Sequence, residues 1–193
     1  MAGYPDVVIS LTQNITMIEA AQAFENRVLE KLNAGKSVRG FIFAAVELLT
    51  EAVNILVLHV FRKDDYAVKY AVEPLLSGSG PLGELSVRLK LMYGLGVISR
   101  HEYEDAELLM AMREELNHDA HEYRFSDDEI LGPFGELHCV PALPAAPTLT
   151  AGAEPLEASL QAMQRQRYQQ ILHSTMVLSV TGLIAGISLK KAF

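Results

Sequence analysis

VRGFIFAAVELLTEAVNILVLHVF, residues 38–61, decides the fold. It is 24 residues without proline, apolar on nearly every side. At helical rise it spans roughly 36 Å, the width of a small domain. Its polar residues Glu47, Thr50, Glu51 and Asn54 fall on one narrow stripe at about 100° per residue. A helix this apolar belongs inside a bundle, and its polar stripe must be solvated, hydrogen-bonded or part of a site.

The flanking segments read as helices that cover this one. Met17, Ala21, Phe24, Val28 and Leu32 form an apolar face at three- and four-residue steps. Gly35 is read as a left-handed cap of that helix, and Ser37 as the N-cap of the central one. Residues 66–72 form a short helix stopped near Pro74. Leu82, Leu85, Leu89 and Met92 mark another, from Leu82 to Tyr93, and Pro81 just before it suits the first position of a helix. Ser99 with Glu102 is a capping box, opening a helix to about Asn117 with Ala106, Leu109, Met110 and Leu116 turned inward. Ser126 with Glu129 repeats the pattern before a short helix broken at Gly132–Pro133. Residues 1–15 lack period and read as a mobile arm. Four of the eight prolines lie in residues 141–155, a linker or extended wrap. A long C-terminal helix follows, 156–193, with the apolar stripe Tyr168, Leu172, Met176, Val180 and Leu183. That stripe is buried on the bundle of residues 16–140 or on a second copy in a homodimer. No period-2 strand pattern stands out. The expectation is an all-α fold, a single multi-helix bundle around a long buried central helix.

Half of the 193 residues are apolar and 21% charged, enough for a substantial core. The net charge of −8 argues against autonomous DNA binding, which calls for a basic face. Cys139, the single cysteine, allows no internal disulfide. With no secretory leader pattern, it fits a reducing cytoplasm. Glu47 and Glu51 interrupt the central helix as a membrane span, and the apolar run 176–187 is short for one.

Few constellations carry chemistry. Gly78, Gly80 and Gly83 have GxGxxG spacing, but they follow a helix instead of a strand, so a loop is the better reading. Glu115 and His118 make one E-x-x-H unit, where a di-iron bundle needs two and further carboxylates. His118, His121 and Glu122 lie at a helix end without a third zinc ligand in view. Glu47 and Glu51, one turn apart, are candidates for acid–base work. The plainer reading has them neutralised by Arg88, Lys90 or Arg113. His138 and Cys139 have no third partner for a nucleophilic trio. No catalytic residue, metal or cofactor is therefore assigned.

The charge map is more informative. Residues 102–129 hold eleven of the 24 acidic residues and two arginines. This is either a solvated face or a docking surface for a basic partner, and Glu104, Asp105, Glu114, Asp127 and Asp128 are the candidate contacts. Arg62, Lys63, Arg88 and Lys90 form the small basic group that direct DNA binding would use. A helix-turn-helix cannot be placed; the nearest fit, residues 117–137, opens its second helix with Asp127, Asp128 and Glu129, which phosphates would repel.

Long strings resemble a known family. FENRVLEKLNAGK (24–36), VFRKDDYAVKYAVEPLL (60–76), GPLGELSVRLKLMYGLGVI (80–98), EYEDAELLMAMREELNHD (102–119), FSDDEILGPFGELHCV (125–140) and ISLKKAF (187–193) are similar to those of bacterial mannitol operon repressors. The resemblance implies an all-helical fold without a recognised DNA-binding motif. It also implies repression of mannitol uptake and utilisation, with the phosphocarrier HPr as partner and room for another transcription regulator. No catalytic residue carries over.

Overall fold

A computed structural model describes residues 5–61, 66–147 and 155–190. Among them are seven helices and no strand: α1 (Pro5–Ala34), α2 (Val38–Val60), α3 (Tyr66–Leu76), α4 (Leu85–Gly94), α5 (Arg100–His118), α6 (Asp128–Glu136) and α7 (Pro155–Ser188). The all-α expectation holds. α2 is the axis, and α1, α4, α5 and α7 pack around it. Eleven of its residues are buried, Phe41, Leu48, Leu49, Leu56 and Val57 completely. At roughly 2 kcal/mol per buried large side chain, this helix alone removes much of the apolar surface that drives folding.

Length and mean hydropathy would let α2 and residues Ala158–Ser188 cross a bilayer, so the terminal helix is not too short by that measure. In the fold, 56% of each such window is buried inside the bundle, where both helices supply the core.

The caps explain several boundaries. The Ser37 side chain accepts from the Gly40 N–H at 3.1 Å. The Ser99–Glu102 capping box closes from both sides, at 3.2 and 2.7 Å. Gly35 is not left-handed. It is glycine because a Cβ there would lie 2.9 Å from the Phe41 backbone, where α1 turns tightly into α2. Among the described residues the left-handed glycine is Gly96, φ 71°, just beyond α4.

Other boundaries differ from the sequence reading. The expected arm of residues 1–15 is helical from Pro5, because α1 begins twelve residues before Met17; residues 1–4 lie outside the described part. α3 runs through Pro74 to Leu76. α4 starts at Leu85 behind Glu84, not at Leu82. The second capping box does not form: Asp127 is the N-cap of α6, and Ser126 Oγ instead accepts from the Gln169 amide of α7. Nor do Gly132 and Pro133 break α6, which continues to Glu136.

α7 settles on its own chain, against α1 and α2. Leu172, Met176 and Val180 are fully buried there and Leu183 nearly so. The described part of the linker, residues 141–147, has no regular secondary structure, and the Tyr168 hydroxyl of α7 donates to the Pro144 carbonyl at 3.1 Å. Lys190, just past α7, pairs with Glu102 at 3.0 Å and ties the end of the helix to the start of α5.

Candidate acidic docking groove

α5 carries acidic residues on its outer side and Ala106, Leu109, Met112 and Leu116 on its inner side. Between its outer side and α6 lie two adjoining cavities of about 390 and 350 Å³, sharing Leu108 and Ala111 as floor. Carboxylates rim them: Glu104, Glu107 and Glu136 at one end, Glu115, Asp119 and Glu129 at the other. The result is one apolar-floored, negatively edged groove.

Two of its carboxylates are held ionised by neighbours. Arg100 donates to Glu104 at 2.6 Å and keeps that carboxyl below its ordinary range. Asp119 is lowered too, first by the Tyr123 hydroxyl at 2.6 Å, then by the His121 N–H at 2.8 Å. Accepting hydrogen bonds favours the charged form of a carboxylate.

The five candidate contacts separate. Glu104 stands on the rim. Asp128 is exposed in the first turn of α6. Asp127 is half-buried, its carboxylate accepting from the Arg124 N–H at 2.7 Å. Glu114 lies at a different cavity, among α2, α4 and α5. Asp105 is not a surface contact, being 2% exposed. It accepts from the N–H groups of His138 and Cys139 at 2.7 and 2.8 Å, and His138 Nδ1 lies 2.9 Å away. Asp105 thus pins the chain after α6 onto α5 and closes one end of the groove. Sequence reasoning missed Glu136 on the rim, because it lies seven residues beyond the acidic stretch.

Of the basic group, the two described members do not share a surface. Arg88 is buried, its guanidinium donating to the Asn54 side chain and to the Leu82 and Leu76 carbonyls, the last at 2.8 Å. Burial lowers its pKa. Lys90 is exposed, while Arg62 and Lys63 lie outside the described residues. Glu47 and Glu51 are paired across helices, but with Lys31 at 3.5 Å and Arg27 at 2.5 Å, both on α1. Arg88, Lys90 and Arg113 are not their partners.

The remaining motifs are structural. Gly80 and Gly83 sit where an added Cβ would lie 2.3 Å from the Pro74 carbonyl oxygen and 2.7 Å from that of Ser77, so the glycines permit a tight turn. His118 Nδ1 lies 2.9 Å from the Glu114 carbonyl oxygen and 3.4 Å from its carboxylate, one turn back on the helix. Burial pushes the Cys139 thiol up to about 12, which leaves it a poor nucleophile. Among the described residues, no group of three or more His, Cys, Asp or Glu could hold a metal ion.

Comparison with known proteins follows this geometry. A family model described as mannitol repressor matches residues 24–188. The mannitol operon repressor of Escherichia coli K12 is 76% identical over 176 residues, covering 91% of this chain and 88% of that protein. An X-ray structure of the MtlR–HPr complex from Escherichia coli contains a chain 76% identical, superposing with a TM-score of 0.81 over 86% of this chain and 99% of that one. A more distant relative, named Fumarase E in Escherichia coli K12, is 33% identical over 105 residues, 54% of this chain and 62% of that protein.

Proposed function

The chain belongs to the mannitol repressor family, and from that premise we propose that it represses a mannitol operon in company with the phosphocarrier HPr, docked in the α5–α6 groove. The observation that carries the repressor role is 76% identity across nine-tenths of the chain to a protein named for it. The solved complex of a chain equally similar supports HPr as the partner. On this reading the protein is a cytoplasmic regulator and not an enzyme.

The groove supports a location for the partner. It joins an apolar floor, Leu108 and Ala111, to six carboxylates along the rim. Such a surface suits a partner whose own face is basic and apolar, with charge steering the encounter and the floor supplying the contact. Direct operator binding through the basic group is disfavoured: Arg88 is spent inside the bundle, and the described surface leaves Lys90 from that group.

The test is association kinetics with purified HPr at several salt concentrations. Glu107→Lys with Glu129→Lys reverses charge at both ends of the rim. The variant should associate about tenfold more slowly and lose most of its salt dependence. Unchanged kinetics would remove the groove from the account. An operator gel shift by this protein alone, falling steeply with salt, would revive the DNA reading.

A further inference from the structure

On the opposite flank of α5, where α2, α4 and α5 meet, lies a separate cavity of about 220 Å³. Its floor includes Val46 and Leu85, and its rim is Thr50, Arg113, Glu114 and Asn117. The docking groove uses none of these residues.

Glu114 has His118 beside its carboxylate at 3.4 Å, and the rest of the rim keeps hydrogen-bonding capacity. Arg113 lies over Phe43, its guanidinium carbon 5.3 Å from the ring centroid, and makes no ion pair among the described residues. The Asn117 amide has no hydrogen bond among the described residues either. Thr50 donates its hydroxyl to the Val46 carbonyl at 2.7 Å, leaving its oxygen free to accept. The residues that line this one small space thus bring a guanidinium, a carboxamide, a hydroxyl and a carboxylate to it.

We propose that this cavity binds a small, neutral, acyclic polyol of hexitol size, the effector class that a mannitol-operon repressor would answer to; this step rests on the function proposed above. Each hydroxyl of a polyol both donates and accepts, and the rim offers both kinds of group. The forks of Arg113 and Glu114 each suit a pair of neighbouring hydroxyls. Their charges cancel, so no net charge favours an anion. A dicarboxylate such as fumarate would meet one cation and one carboxylate, leaving its second anionic end unpaired at a cost. The volume is below the roughly 300 Å³ at which drug-sized pockets begin, which suits a small metabolite. Because Asn117 and Glu114 share α5 with the groove residues Ala111 and Glu115, an occupant would act on the helix that also carries the docking surface. Any difference in affinity for HPr with and without polyol must then be matched by the reciprocal difference in polyol affinity.

The experiment is calorimetric titration of the full-length protein with D-mannitol, with fumarate as a second probe. One saturable site is expected for mannitol and none for fumarate. Arg113→Met and Asn117→Ala should each weaken mannitol about tenfold, the loss of one or two hydrogen bonds. Affinity for HPr without polyol is read on the same samples and should be unchanged, so failure of the docking reading is seen separately. No saturable mannitol heat, equal affinity in both variants, or fumarate binding in mannitol's place would overturn the proposal.

Discussion

Asp105 illustrates how one residue can be misread from charge alone. It sits in the most acidic stretch of the chain, yet it is 2% exposed and takes two backbone N–H groups from the segment after α6. Asp105→Ala strands those donors in a buried setting, and a loss of about 3 kcal/mol is expected in urea unfolding. His173 gives a prediction with a sign. Burial among Phe41 and Phe125 lowers its pKa from 6.5, with Lys36 adding to the effect. The folded state then binds a proton less readily than the unfolded chain. Its contribution is full above pH 6.5 and is lost as pH falls through that value toward the lower folded pKa. His173→Gln should flatten the wild-type stability profile between about pH 7 and 5, measured by urea midpoints at each pH. Cys139, with its thiol near 12, should resist iodoacetamide at pH 8 in the native protein and react at once in denaturant.

Elements were legible to the extent that their signals were local. The apolar run of α2, the Ser37 cap and the Ser99–Glu102 box each depend on residues within a few positions, and the structure has them where the pattern puts them. Long-range pairing was not legible. Nothing near Glu47 and Glu51 points to Lys31 and Arg27, 16 and 24 residues away, and nothing near Arg88 says that it turns inward onto Asn54. The groove was half legible: α5 supplies the acidic residues in sequence, while Glu136 arrives only through folding. Arg39 belongs with what was hidden. From α2 its guanidinium donates to the carbonyls of Leu116 and Asp119, satisfying the otherwise open C-terminal end of α5. Arg39→Met keeps much of the aliphatic stem and removes the donors. It should cost about 2 kcal/mol and raise amide exchange in the last turn of α5 ahead of the rest of the bundle.

At the scale of the molecule, α1, α4, α5 and α7 enclose most of α2, with α1 answering its carboxylates. Leu172, Met176, Val177, Val180, Ile184 and Ile187 are each at most 3% exposed. At roughly 2 kcal/mol apiece their burial is comparable to the whole net stability of a domain, about 5–15 kcal/mol. A chain ending at residue 147 should therefore unfold without a cooperative transition and bind a hydrophobic dye, as calorimetry and fluorescence would register.

The partnership of the first helix with the last has a price in time. α1 leaves the ribosome roughly 120 residues before α7, an interval of about ten seconds at ordinary rates of translation. Throughout that wait Phe24, Val28 and Leu32 lack the neighbour that finally shelters them. A nascent repressor of this shape is thus a natural client for trigger-factor-like holdases, and its yield in a host should track their supply more closely than its melting temperature.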